Sequence, residues 1–180
     1  SGPPMSDPGK SFELGGIVVP LRAALAYDQQ IEPIGASSVR RFVDGSAVKQ
    51  TVWGGKLRIS LSGDGWAPLG LHDLDYTAPL TLKCGTPEAI RAQVPAITLP
   101  ATRRSDTGYA PFGRAHLANG SEVETPVALV GNVATCTAVA GAIGYAVWYW
   151  PQITGFAEPP TRTSSAARAE FSWQIVVEEA

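Results

Sequence analysis

Charge is the first thing this sequence has little of. Asp, Glu, Lys and Arg make up 17% of its 180 residues, against roughly 25% in an average globular chain, so part of the surface is expected to be covered by something other than water. The charge that is present forms no run of one sign. Fourteen Lys plus Arg stand against 16 Asp plus Glu, a formal net charge of −2, which argues against a phosphate-backbone binder with its clustered basic face. Cysteine is scarce as well: Cys84 and Cys136 are too few for a disulfide scaffold and stand in no zinc-ligand spacing. Both read as small buried apolar residues, with one long-range disulfide left open. A single Met beside five Trp points to fixed aromatic packing and not to an adaptable Met-rich groove. Long hydrophobic runs are missing. The least polar stretch, Val127–Trp150, is broken by Asn132, two Thr and three Gly, and reads as core instead of a membrane span. No secretory signal is legible, and Ser1–Pro4 ahead of Met5 read as a vector-derived remnant, leaving 5–180 as one expected domain.

What the chain does have is turn residues and short alternating segments. Nineteen Gly and 15 Pro suit many turns between strands and suit long helices poorly. Leu57, Ile59 and Leu61 alternate with Lys56, Arg58, Ser60 and Ser62, the pattern of a half-buried strand. Asp44-Gly45 and Gly54-Gly55 are pairs favoured in two-residue hairpin turns, so Ser38–Val43, Ser46–Trp53 and Lys56–Ser62 are expected to form a three-stranded meander. Phe112–Leu117, Asn119-Gly120 and Ser121–Val130 read as a second hairpin. Ala134–Ala142 reads as strand, Ala146–Trp150 as a strand covered on both faces, and Phe171–Glu178 as another half-buried strand. A helical turn at Ala89–Gln93 and loops at Thr102–Gly113 and Glu158–Ser165, the latter mobile, complete the reading. The fold class expected is all-β, an antiparallel β-sandwich or barrel with long loops.

Chemistry is sparse. No Gly-x-Ser-x-Gly elbow is present, and only His72 and His116 are available to a triad, which is recognised by geometry and not by spacing. His72-Asp73-Leu74-Asp75 sets an imidazole near two carboxylates, yet a metal site needs three or four convergent ligands, and a polar loop explains the string. Asp64 between two glycines lacks the repeated carboxylates of a calcium loop. Asn119-Gly120-Ser121 fits a turn better than a glycan acceptor. No catalytic residue, metal or cofactor is expected. Arg40, Arg41, Arg103, Arg104 and Arg114 suit pairing with carboxylates of a partner or solvation on strands and loops, and the five Trp suit either core packing or stacking on a sugar ring.

The strings Asp44–Trp53 and Lys56–Trp66, with Arg104–Tyr109, Tyr145–Pro151 and Phe171–Trp173, resemble structural tail-tip or baseplate proteins, distal-tail-like, of long-tailed bacteriophages. The resemblance implies a non-enzymatic virion subunit of the tail, made in the bacterial cytoplasm, with both cysteines reduced. It implies a homo-oligomer contacting other tail proteins, with Arg103, Arg104, Tyr109, Arg114, Trp148 and Trp150 as interface residues. The alternative is a tail-tip module that binds a host surface receptor or glycan through exposed Trp. No nucleic acid and no membrane span enter either reading.

Overall fold

The computed structural model describes residues 10–180; Ser1–Pro4, expected to be a remnant, and Met5 lie outside the described residues. Strands take 61% of the chain and helix 2%, so the all-β expectation holds, and the sheets do not close into a barrel. In chain order the strands are β1 Lys10–Leu14, β2 Ile17–Pro20, β3 Ala26–Arg41, β4 Ala47–Gly65, β5 Leu80–Lys83, β6 Glu88–Ala92, β7 Ala96–Thr98 and β8 Phe112–Leu117. They continue as β9 Glu122–Thr125, β10 Val127–Val130, β11 Val133–Cys136, β12 Ala142–Tyr149, β13 Gln152–Ala157, β14 Thr161–Ser165 and β15 Glu170–Glu179. A single 3-10 turn, Leu21–Ala23, is the helical element among the described residues. The chain divides into two compact units, one of Lys83–Ile153 with the described residues up to Glu13, the other of Leu14–Leu82 with Thr154–Ala180.

The first unit is built on two antiparallel sheets, β10-β11-β7 and β6-β12-β8-β9. Ile97 and Ala134 of the first sheet and Ala115, Tyr145 and Val147 of the second bury into one cluster with Leu99 and Cys136. Apolar side chains from two sheets sharing one core is the arrangement of a β-sandwich. β12 lies between β6 and β8, and Tyr145, Ala146 and Val147 are all buried, which is why its sequence reads apolar on both faces. The helical turn expected at Ala89–Gln93 is instead β6, because Ala89–Ala92 pair with Tyr145–Trp148 of β12; ladder hydrogen bonds to a central strand outweigh a weak local preference. The expected hairpin closes at Asn119-Gly120, where the Asn119 side chain accepts from Ser121 N and Oγ. Its return strand splits at Pro126, so that β9 stays with β8 and β10 joins the other sheet.

The second unit is organised by β4, paired with β3 on one side and β15 on the other. Ile59 and Leu61 of β4 and Trp173, Ile175 and Val177 of β15 are buried, as their alternation requires. The Trp173 indole donates to the Ala23 carbonyl at 2.7 Å. The loop expected over Glu158–Ser165 is partly strand: Thr161–Ser165 pair residue by residue with Gln174–Glu170. Thr161, Thr163, Ser164 and Ser165 have the β-branched or hydrogen-bonding side chains that an outer strand accepts, and the Pro159-Pro160 pair lies just outside it.

The three-stranded meander is not formed. β3 and β4 are one hairpin of 16 and 19 residues, well beyond the usual 3–10 residues of a strand. Asp44-Gly45 does turn the chain, with Gly45 at φ 83° and the Asp44 carboxylate accepting from Ser46 N at 2.9 Å and Ser46 Oγ at 2.6 Å. Gly54-Gly55 does not turn it. β4 runs straight through the pair, and the β3–β4 register shifts opposite it, between Ile34 and Ser37. A Cβ placed on Gly35 would sit 2.8 Å from the Trp53 carbonyl oxygen and 3.0 Å from Gly54 Cα, so these glycines let two backbones approach at a β-bulge.

Candidate assembly surface

The outer half of the β3–β4 hairpin is an arm. Every residue from Ser37 to Gly55 is exposed, although Val39, Phe42, Val43, Val48, Val52 and Trp53 are large apolar side chains. Val43 and Val52 are 110% and 78% exposed, values expected of tripeptides and not of folded sheet. The pairs Val39–Lys49 and Arg40–Val48 are adjacent in register and therefore on opposite faces. Each face thus mixes apolar groups with cations, next to the polar pairs Ser37–Thr51 and Ser38–Gln50. An isolated two-stranded ribbon is marginal in water, so the arm gains little stability by itself.

At its root the arm is clamped. Arg58 donates to Glu32 on β3 at 2.9 Å and to Glu178 on β15 at 2.7 Å, three charges in one row across three strands. The two carboxylates raise the guanidinium's affinity for its proton. Leu57 N donates to the Glu179 carboxylate at 3.0 Å, and Lys56 Nζ donates to the Ala180 carbonyl. These bonds fix the point at which the ribbon leaves the body.

The residues expected at an interface fall elsewhere, all in the first unit. Arg104, Tyr109 and Trp150 are buried, at 1%, 0% and 1% exposure. The Arg104 guanidinium holds Asp106 through Nε at 3.1 Å and through its second terminal nitrogen at 2.8 Å, and donates to the Cys84 carbonyl at 2.8 Å. Tyr109 meets the Trp150 ring edge-on at 5.4 Å. This set pins the Thr102–Gly113 loop from inside, which leaves those three side chains no surface to offer a partner. Trp148 is half-buried and stacks on Phe112 at 5.7 Å. Arg103 ties its loop to the carbonyls of Pro100 and Gly131 and to the Asn132 side chain. Arg114 lies 3.9 Å from Glu122, which also takes a 2.8 Å bond from Arg91; the Arg91 bond holds the Glu122 carboxyl below the usual range.

His116 pairs in register with Glu122, beside a shallow hollow lined by Arg91, Gln93, Gly144 and Tyr145; no hydroxyl of Ser or Thr and no thiol lines it. Among the described residues no three His, Cys, Asp or Glu converge on one point. Cys84 and Cys136 are buried and unbonded, and burial pushes the Cys84 thiol up to about 12. No helix among the described residues is long and apolar enough to cross a membrane. Comparison with protein-family models, with curated proteins and with solved structures gives no match.

The arm was only half visible in the sequence. Its Asp44-Gly45 turn was legible, but its exposure was not, since Val39, Val48 and Val52 look like core residues until β15, the strand beside β4, is known to stop at its root. A signal existed in the cations interleaved among them, Arg40, Arg41 and Lys49, which suit a core strand poorly.

Proposed function

We propose that this protein is a non-enzymatic structural subunit of a bacteriophage tail tip or baseplate, assembled with neighbouring tail proteins through its β3–β4 arm. One observation carries the reading: 19 consecutive exposed residues, Ser37–Gly55, holding six large apolar side chains. Exposed apolar surface of this extent marks an interaction site in a folded protein. Strand edges with unpaired backbone groups add a second source of attraction, because they can continue into a neighbour's sheet. The resemblance of Asp44–Trp53 and Lys56–Trp66 to tail-tip proteins names the kind of assembly, and the arm itself lies in that stretch.

The test is recovery of the protein from purified phage particles or tail sub-assemblies, followed by the same experiment with the arm shortened by symmetric deletion of Ser37–Ser38 and Gln50–Thr51. Expected are presence in the particle with the intact arm and loss with the shortened one, while both proteins unfold at the same temperature. Absence of the intact protein from every particle would overturn the reading.

A further inference from the structure

The second unit carries a surface whose chemistry is the complement of the arm's. Thr161, Gln174, Ser62 and Asp28 are paired in turn across β14, β15, β4 and β3, and directly paired residues share a face of an antiparallel sheet. The next row on that face is Thr163, Ser172, Asp64 and Ala26. The two rows floor a groove of about 530 Å³ in which the charged lining residues, among the described residues, are both acidic, Asp28 and Asp64. Ala26 and Asp64 also border a second hollow of about 250 Å³, walled by Leu25, Trp66, Arg168 and Glu170. Leu25 is 44% and Trp66 73% exposed. The combined surface offers three carboxylates against one guanidinium, with two uncovered apolar side chains beside them.

The arm offers the reverse. Ser37–Gly55 contains Arg40, Arg41 and Lys49 against Asp44, an excess of two positive charges in a chain whose total is −2, so the remainder holds an excess of four negative ones. Its apolar residues and its arginines suit Trp66 and Leu25 as well as the carboxylates, since guanidinium groups stack on indole faces. The arm cannot reach the groove of its own chain. The two strands stay paired from Ala26↔Asp64 at the groove to Arg41↔Ala47 near the tip, interrupted only by the bulge between Ile34 and Ser37, which places Arg41 about 40 Å along the ribbon from Asp28 at ~3.3 Å per residue. Pairing arm with arm would set cations against cations.

We infer that the arm of one copy lies in the Asp28–Asp64 groove of a second copy of this chain, with Arg40 or Arg41 on the carboxylates and apolar arm residues against Trp66 and Leu25. This rests on the assembly reading above and names its partner surface. Arm and groove are different patches, so the contact is either exchanged reciprocally in a two-fold dimer or repeated head to tail, and head-to-tail contacts close into a ring when the rotation between copies permits.

The experiment is pairwise disulfide trapping in the full chain. Val48→Cys on the arm and Thr163→Cys in the groove are made separately, mixed at high concentration and oxidised mildly; native Cys84 and Cys136 are buried and stay out of the reaction. The expected product is a mixed dimer in at least several-fold excess over either self-linked dimer. It should fall at least tenfold with D28N/D64N and return when Asp28→Lys/Asp64→Lys is combined with Arg40→Glu/Arg41→Glu. Dominance of the self-linked Val48→Cys product, or a mixed dimer indifferent to these charges, would overturn the proposal. So would failure of any inter-chain product with a protein that is nonetheless recovered from phage particles, an outcome that leaves the assembly reading intact. Absence from particles would remove both.

Discussion

The guanidinium carbon of Arg104 lies 3.3 Å from the centre of the Tyr109 ring, so the one fully buried arginine among the described residues has an aromatic face beneath it and a carboxylate, Asp106, at its edge. Charge, ring and carbonyl together hold a loop whose backbone is tied by the single Arg103–Pro151 bridge and the Arg104 N to Trp150 carbonyl bond. Removing one member leaves a cation in a dry site, which is costlier than never having placed it there.

Asp106→Asn is therefore expected to destabilise the first unit by about 2–3 kcal/mol, less than the ~3–5 kcal/mol for breaking a fully buried pair, because the Asp106 side chain is 32% exposed. Chemical denaturation followed by Trp150 fluorescence measures it. The acid branch follows from the same contact. Arg104 holds the Asp106 carboxyl below its ordinary value of 3.8, so the folded state binds this proton less readily than the unfolded one. The stabilisation is present in full above the ordinary value and is lost as pH falls through the lowered one. Melting temperatures of the native protein should drop faster below pH 4 than those of Asp106→Asn.

Gly35→Val should unzip the arm and leave the body standing. Its Cβ would press on the Trp53 carbonyl and Gly54 Cα, in a stretch with no packing to compensate. Hydrogen exchange at Val39 and Lys49 is expected to accelerate by about tenfold or more, the mark of local opening, while exchange at Ile59 and Ile175 stays unchanged. Equal acceleration at all four positions would show that arm and body unfold as one.

Val52→Ser and Phe42→Ser remove exposed apolar surface and should shift folding stability by no more than about 0.5 kcal/mol. Their effect belongs to assembly: incorporation into particles should fall several-fold for each. Unchanged incorporation of the double variant would assign the apolar arm no part in assembly.

Both thiols should resist alkylation in the native state at pH 8 and react fully in denaturant, giving two free thiols per chain. Burial raises Cys84 to about 12 and raises Cys136 as well, so thiolate is scarce at Cys84 quite apart from access. Mass spectrometry after iodoacetamide treatment reads the count directly.

Some of this protein is written locally. Alternation at Leu57–Leu61 and Phe171–Val177 decides which side chains face inward, because successive residues of a strand point to opposite faces whatever lies beyond. Asp44-Gly45-Ser46 and Asn119-Gly120-Ser121 make turns from their own side-chain bonds and a glycine with positive φ, and each turned where its residues said it would. Partner choice is written nowhere local. Gly54-Gly55 reads as a turn until Gly35 is known to cross it, Thr161–Ser165 reads as loop until β15 pairs with it, and Ala89–Ala92 reads as helix until β12 lies alongside. The same holds for exposure. Arg104 and Tyr109 carry the polar and amphipathic chemistry of an interface yet are buried, while Val48 and Val52 have the chemistry of a core yet stand in water. Period and turn chemistry depend on neighbours a few residues away, whereas burial depends on which distant strands arrive and where they stop.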